Sequence, residues 1–274
     1  MRLAFALKAA LLALAVAMPF TAVAAGKCDR LVATGAADHP PFLWRDPQNP
    51  KRLVGANADL LRQIADSLGL KLDLLYTGDR SKALDEVRSG RVDVLVDAVL
   101  TSQRLGEMDF VHPAIVSLQT VAWVRNEPGF LYSGRDDLRG RKGVVVSAGR
   151  FGSEFDAFAK ASLQLQSVTG AAPALQRLLA GRSDYLLHER YSLIAAADVL
   201  GQLERIQRLE PALASRDMHL AISHDSACND PWLRGQLARK MTELRAAGVP
   251  EQLIAHNLGV WKNQQLARSG APQQ

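Results

Sequence analysis

The sequence has little of what marks metal-binding, nucleic-acid-binding and membrane-spanning proteins. Among its 274 residues are only two cysteines, and neither has a His or Asp at ligand spacing, so a zinc site is not expected. The basic residues are scattered and form no run interleaved with aromatics, which does not support nucleic-acid binding. After the first residues there is no apolar stretch of membrane length.

Catalytic signatures are missing too. The chain has no Gly-x-Ser-x-Gly elbow, no His-Glu-x-x-His pair and no phosphate-binding loop. We therefore expect a protein that is not an enzyme and that carries no cofactor or metal.

The first residues are typical of an export signal. Arg2 and Lys8 are basic, residues 9–17 are apolar, and a small-x-small pattern ends at Ala24. We predict that residues 1–24 are a cleaved signal peptide and that the mature chain works in the periplasm. A retained membrane anchor is the alternative, although the apolar run is short for a bilayer.

Both cysteines, Cys28 and Cys228, remain after this cleavage. A lipoprotein is disfavoured because Lys27 precedes Cys28 where a small residue is needed. The oxidising periplasm favours a disulfide between the two cysteines. Two unpaired buried thiols are the alternative.

Strands and helices alternate in two successive units along the mature chain. The first unit has predicted strands at 30–35, 70–76 and 92–100 and helices at 55–68 and 82–89, with Asn57 or Asp59 as the cap of the earlier helix. The second unit has predicted strands at 142–147, 164–168 and 184–188 and helices at 153–163, 172–180 and 191–200. Strands at 119–125 and 218–223 are predicted to cross between the units, and helices at 231–247 and 251–258 follow.

This order predicts an α/β fold of two lobes joined by a two-strand hinge, with a ligand cleft between them. About 250 mature residues are enough for two such lobes. The predicted boundaries are 25–122 with 220–265 for the first lobe, 123–219 for the second, and a disordered tail at 266–274. Ligands of such sheets bind beyond the carboxyl ends of strands, where the loops at 39–44 and 97–104 lie.

Seven short motifs follow one another along the chain. They are Pro41-Phe42, Gly55 with Asp59, Gly90-Arg91-Val92-Asp93, Thr101-Ser102-Gln103-Arg104, Asp109-Phe110 with Pro113, Leu138-Arg139-Gly140 and Gly181-Arg182-Ser183-Asp184. In this order, over almost the whole mature chain, they resemble the periplasmic solute-binding proteins of the polar amino-acid uptake family, family 3.

The resemblance implies roles for two charged residues. Arg104, with Thr101 in the same motif, would grip the α-carboxylate of the ligand, which suits a planar guanidinium. Glu189 stands where the family has an acid, usually Asp, for the α-ammonium. The alternatives are a surface salt bridge for Arg104 and, for Glu189, a helix-start carboxylate stabilised by the macrodipole.

Two departures from the family pattern give opposite indications about the ligand. The second-lobe loop, which begins at Ser147, has Arg150 and Phe151 where small hydroxyl residues are usual, so a second cation facing the cleft would favour a dicarboxylate. Arg150 projecting to solvent is the alternative. Asp97 replaces a small polar residue and would either pair with Arg104 in the empty state or accept a cationic group.

Aromatic side chains in the first loop complete the candidate site. Phe42 and Trp44 are expected to pack against the ligand stem or its cation, unless one of them is a core residue. His39 beside them is either a pH sensor or an ordinary turn histidine.

The resemblance implies a monomeric receptor that closes on an amino-acid-like or carboxylate solute and delivers it to the membrane subunits of an ABC transporter. One alternative is an enzyme that resembles cyclohexadienyl dehydratases, although His188 and Glu189 are adjacent on a strand and point to opposite faces. The other is a sensor or accessory protein that acts on a separate membrane partner.

Overall fold

The computed structural model describes residues 28–146 and 151–270, so the predicted signal peptide lies outside the described residues. The strands are β1 Arg30–Thr34, β2 Asp38–His39, β3 Leu43–Arg45, β4 Leu53–Val54, β5 Lys71–Leu74, β6 Val94–Val99, β7 Met108–Phe110, β8 Val116–Arg125, β9 Lys142–Val146, β10 Gln164–Val168, β11 Tyr185–Glu189, β12 Ile206–Arg208 and β13 Ala214–Ser223. The helices are α1 Ala56–Ser67, α2 Arg80–Arg88, α3 Ser102–Leu105, α4 Ser153–Ser162, α5 Ala171–Leu179, α6 Arg190–Val199, α7 Pro231–Ala246 and α8 Val249–Ser269.

Two parallel sections of sheet are joined by two long antiparallel strands. The order along the sheet is β10-β9-β11-β8-β13-β6-β1-β5, with β12 on β8 and β7 on β13. β1 pairs in parallel with β5 and β6, and β9 pairs in parallel with β10 and β11. Between them β8 and β13 pair from Thr120 opposite Ala214 to Val116 opposite Met218. The predicted fold, two α/β lobes with a two-strand hinge, is confirmed.

The hydrophobic cores show where each long strand passes between the lobes. On β8, Leu118 packs in the core of the first lobe and Val121 in a core of the second. On β13, Ala214 packs against the second lobe and Met218 lies in the first-lobe core. The exact lobe boundaries stay a prediction, and these packing changes favour crossing points slightly nearer the middle of the paired strands.

The two cysteines form a disulfide, as predicted. Cys28 and Cys228 have Cα atoms 5.4 Å apart, and the bond ties the chain just before β1 to the segment before α7. Cys228 is buried in the first-lobe core, and its backbone N–H donates to Ser226 Oγ at 3.0 Å. The disulfide therefore closes the first lobe on itself.

The predicted side-chain cap of α1 is wrong. Gly55 occupies the cap position, with φ of 131°, and no side chain caps the helix. Asn57 is instead fully buried and donates from Nδ2 to the Val96 carbonyl at 2.8 Å. Asp59 accepts from Arg62 and from Asn257 on α8. Both polar side chains serve tertiary contacts that local sequence does not report.

The C-terminal helix is much longer than predicted. It runs for 21 residues to Ser269, so the predicted disordered tail at 266–274 is wrong for residues 266–269. Residues 271–274 lie outside the described residues. The reason is tertiary packing: α8 lies against α1 of the first lobe and α6 of the second. An ion pair of 2.9 Å joins Lys262 to Asp198 on α6.

The first loop also differs from the prediction. Its chain forms a small second sheet in the order β2-β3-β4, in which Asp38 lies opposite Trp44 and His39 opposite Leu43. The two prolines at 40 and 41 turn the chain between β2 and β3. Across 28–146 and 151–270, no helix is both long enough and apolar enough to span a membrane.

Candidate functional site

The two lobes meet where the loops of the first lobe approach the start of α6. Phe42 of the first lobe and Tyr191 of the second have ring centroids 5.8 Å apart, at an interplanar angle of 86°. We call the charged and polar groups around this contact the interlobe site. Its members are His39, Arg80, Asp97 and Arg104 of the first lobe, His188, Glu189 and Arg190 of the second, and Arg216 on β13.

Asp97 is a buried carboxylate that already has partners. It lies on β6 with 4 % of its surface exposed, and its Oδ2 accepts from the Ala36 backbone N–H at 3.1 Å. Arg80 lies at 3.4 Å from the same oxygen and also at 3.4 Å from Asp38. Burial raises the pKa of Asp97, and the positive charge of Arg80 opposes that rise. The structure thus pairs Asp97 with Arg80, not with Arg104.

Arg104 has no acidic partner in the described part of the chain. It lies on α3, whose N-cap is Thr101, and the Thr101 hydroxyl accepts the Arg104 backbone N–H at 3.3 Å. Its guanidinium donates one hydrogen bond, from Nη1 to the Val99 carbonyl at 2.8 Å. Burial lowers the pKa of Arg104 and nearby Asp97 raises it, but a guanidinium stays charged in either case.

Glu189 ends β11 and caps α6. Its Oε1 accepts from the Tyr191 backbone N–H at 3.0 Å, and its Oε2 accepts from both the backbone N–H and the hydroxyl of Ser192 at 2.7 Å. Burial raises the pKa of Glu189, while these hydrogen bonds lower it. The arrangement is that of a helix-start carboxylate, and its role toward an ammonium group stays a prediction. His188 places Nδ1 at 3.1 Å from the Glu189 backbone carbonyl, away from the carboxylate.

His39 faces a positive environment. Burial lowers its pKa to about 3, and the charges of Arg80, His188 and Arg216 push in the same direction. Its Nδ1 is buried and has no hydrogen-bond partner, while its ring lies 4.8 Å from the Phe42 ring. His39 is therefore neutral at the pH of most cellular compartments and offers an unused nitrogen to the interlobe site.

The predicted aromatic wall is buried. Phe42 is fully covered and packs in the first-lobe core as well as against Tyr191. Trp44 is 2 % exposed, lies 5.4 Å from the Trp261 ring and donates from Nε1 to Gln264 Oε1 at 2.8 Å. Trp44 thus anchors α8, because its partners come from the far end of the chain, and its role toward a ligand stays a prediction.

Phe151 is likewise a core residue. It is 9 % exposed, and its ring lies 6.0 Å from that of Phe155 in the second-lobe core. Phe151 thus helps to fill the interior of the second lobe, and its role toward a ligand stays a prediction. Ser147 and Arg150, the other predicted residues of this loop, lie outside the described residues.

Three arginines of the interlobe site were not among the site residues predicted from the sequence. Arg80 opens α2 and reaches Asp97. Arg190 donates from Nη1 to Gln119 on β8 at 3.4 Å, while its Nε is buried without a partner. Arg216 lies on β13 opposite Leu118, at the passage between the lobes, and forms no ion pair within the described residues. Together with Arg104 they give the site a positive character.

A cavity of about 550 Å³ lies elsewhere, between the segment after β3, α1 and α8. Its lining includes Asp59, His256 and Arg268 and no member of the interlobe site. In the ranges that the structure covers, no group of three or more His, Cys, Asp and Glu side chains is arranged to hold a metal ion.

Comparison with known proteins agrees with this architecture. The family model for bacterial extracellular solute-binding proteins, family 3, matches residues 17–260. The chain belongs to this family. A "probable amino-acid ABC transporter-binding protein" of Haemophilus influenzae is 24% identical over 176 residues, which are 61% of this chain and 63% of that relative's length.

Solved structures share the fold of this family 3 protein. The second substrate-binding domain of Lactococcus lactis GlnP, in an open conformation, has a TM-score of 0.68 at 21% identity, over 84% of this chain and 96% of that one. A histidine kinase sensor domain similar to periplasmic binding proteins has a TM-score of 0.60 at 24% identity, over 85% and 97%. At these identities the likeness establishes the fold alone.

Proposed function

We propose that this family 3 protein is a periplasmic receptor for a small amino-acid-like or carboxylate solute, which it delivers to an ABC transporter. The observation that carries the proposal is Arg104. It is half-buried near Asp97 and Arg80, it is oriented by a capped helix turn, and its guanidinium has a single hydrogen bond to a carbonyl. A cation held in this way, with no ion pair in the described part of the chain, suits a ligand carboxylate, which binds a guanidinium through two parallel hydrogen bonds.

The positions of the second-lobe groups explain how a bound solute would favour closure of the two lobes. A carboxylate held by Arg104 on the first lobe leaves the rest of the solute facing His188, Arg190 and the start of α6 on the second. A ligand shifts the population toward the closed form only through contacts that are better in that form. Contacts to both lobes satisfy this condition. The closed shape is then the signal that a membrane partner reads, in keeping with the name of the Haemophilus influenzae relative.

The test is to remove the guanidinium. Mature protein is unfolded and refolded to release any retained solute, and a panel of amino acids and carboxylates is titrated calorimetrically. We expect Arg104→Ala to weaken binding by about 3–5 kcal/mol, the usual effect of truncating one partner of a buried charge pair. Arg91→Ala is the matched control, because Arg91 is an exposed first-lobe arginine paired with Glu86. Unchanged affinity in Arg104→Ala would remove the carboxylate clamp.

A sensor is the second candidate, and the structural likeness to a histidine kinase sensor domain supports it. In that case the closed form is read by a membrane receptor in place of a transporter. Affinity capture of membrane proteins on the mature chain, with and without the bound solute, separates the two: transporter subunits support delivery, and a receptor kinase supports sensing. An enzyme is less well supported, because Glu189 accepts three hydrogen bonds from α6 and His188 makes none to its carboxylate.

A further inference from the structure

We infer that the interlobe site selects a dicarboxylate without an amino group over the amino acid with the same carbon skeleton. The inference rests on the proposed function and deepens it, because it names the charge pattern of the solute. It is carried by an imbalance within the site: both of its acids already accept hydrogen bonds, whereas three of its four arginines form no ion pair within the described residues.

The two acids of the interlobe site, Asp97 and Glu189, already accept hydrogen bonds from their own lobes. An α-ammonium needs a carboxylate with free lone pairs that point toward it. Asp97 is engaged by the Ala36 backbone and by Arg80. Glu189 accepts three hydrogen bonds from the first turn of α6. Asp97 Oδ2 and both oxygens of Glu189 are therefore already engaged, and an ammonium group would have to share each carboxylate with these partners.

Other acids close to the site are no better placed. Asp38 is also bound by Arg80, and its side chain is 79 % exposed. Glu107 is paired with Arg88 at 2.7 Å. Asp217 follows Arg216 on β13 and accepts from the Ser117 hydroxyl at 2.8 Å. Since adjacent residues on a strand point to opposite faces, Asp217 does not share the face of Arg216.

Most arginines of the interlobe site lack a partner of opposite charge among the described residues. In the chain segments that the structure describes, Arg104, Arg190 and Arg216 form no ion pair with any acid. The Arg190 Nε is buried and has no hydrogen-bond partner, and the same is true of His39 Nδ1. A buried donor without a partner carries a free-energy cost that a ligand acceptor removes. The site thus presents unused donors and positive charge.

The positions of these cations explain why two anionic groups are needed. Arg104 belongs to the first lobe, Arg190 to the first turn of α6 in the second lobe, and Arg216 to the strand that passes between them. One carboxylate at Arg104 leaves the other two arginines uncompensated. A second carboxylate placed at these arginines would be attracted by both lobes, whereas an ammonium group at that place is repelled by like charge.

Matched ligand pairs test the inference directly. Succinate is compared with aspartate and glutarate with glutamate, because each pair differs only in the amino group; arginine and glutamine complete the panel. Each is titrated into refolded mature protein. We expect the plain dicarboxylate to bind at least about tenfold tighter than its amino acid, which corresponds to about 1.4 kcal/mol.

The possible outcomes separate the inference from the proposed function. Equal or tighter binding of the amino acid of each pair overturns the inference; if Arg104→Ala still abolishes that binding, the receptor function stands. Binding of none of the panel counts against both proposals. Preferential binding of the dicarboxylates, lost in Arg104→Ala, supports both.

Variants locate the second anionic group. Arg190→Gln and Arg216→Gln remove the charge and leave a shorter, uncharged polar side chain at each position. We expect each to lower dicarboxylate affinity by about tenfold while propionate, a monocarboxylate, binds as before. Arg182→Gln is the control at an exposed second-lobe position. Dicarboxylate affinity unchanged in both variants, with melting temperatures equal to that of the parent, overturns the assignment of these arginines.

Discussion

Removal of the Cys28–Cys228 disulfide offers the most direct test of how the first lobe is held together. The bond closes a loop with a sequence separation of 200 residues, which includes the whole second lobe. In the chain-entropy description, closing a loop of this size removes about 5 kcal/mol of conformational entropy from the unfolded state. Cross-links in real proteins reach this value only in part, so we expect a loss of about 3–5 kcal/mol in the free energy of unfolding.

The surroundings of Cys228 support an effect that acts mainly on the unfolded state. The Ser226 hydroxyl donates to Asp93 at 2.5 Å and accepts the Cys228 backbone N–H, so this segment keeps its polar contacts when the bond is absent. Asp93 also accepts the Val32 backbone N–H at 2.8 Å and fixes β1. The folded structure of the first lobe is therefore expected to change little when the disulfide is removed, and ligand affinity is expected to stay the same.

The measurement is urea unfolding of three samples: the oxidised protein, the protein reduced with dithiothreitol, and the Cys28→Ala, Cys228→Ala double variant. Reduced protein and double variant should agree with each other and fall below the oxidised protein. The control is the double variant with dithiothreitol, which should not change. A loss below about 0.5 kcal/mol would refute the argument, since it would mean that the unfolded chain is already confined without the bond.

Three further predictions concern packing, acid stability and the C-terminal helix. In Gly35→Ala, the new Cβ would lie 2.6 Å from Leu43 Cδ2 and 2.8 Å from Asp97 Oδ1, so thermal unfolding should show a loss of about 1–3 kcal/mol in the free energy of unfolding. Gly259→Ala, with open space around it in α8, should show no such loss. The pKa of His39 falls from 6.5 to about 3 on folding, so the unfolded chain takes up its proton first and the free energy of unfolding falls as the pH drops through this window. His39→Gln should flatten this part of the curve of unfolding free energy against pH. An unchanged slope would contradict the assignment. Lys262→Met removes a partly exposed ion pair to Asp198 and should cost less than about 1 kcal/mol, yet speed ligand release in stopped-flow experiments; an unchanged release rate would show that this ion pair does not restrain opening.

The parts of the fold that the sequence predicted well are those in which local pattern and tertiary environment agree. The predicted and observed bounds of β10 agree, at 164–168. β6 lies inside its predicted run of apolar residues, because a strand buried on both faces consists of consecutive apolar residues. The disulfide was also predictable, since compartment and cysteine count leave a single pairing. These features need only short-range sequence or composition.

The candidate site was less predictable because its partners are distant in sequence. Arg216 lies before the predicted strand at 218–223, because the first half of β13 alternates in exposure and has no run of apolar residues. Trp44 was assigned to the ligand because its partner Gln264 lies 220 residues away. Arg80 had a detectable signal: it follows β5, at the carboxyl end of a parallel strand, where ligand-binding loops gather.

The C-terminal helix changes how this hinge should open. β8 and β13 form a connection that can bend, but α8 adds a third link, since it packs against α1 of the first lobe and α6 of the second and is fixed by Trp44 and Lys262. Any motion that separates α1 from α6 must break one of these contacts, so α8 restrains the relative movement of the two lobes even without ligand. The uncompensated arginines of the interlobe site act against closure, because like charges are brought together there. A solute that neutralises them removes the main opposing force, and a modest binding energy is then enough to shift the population between two nearly balanced forms.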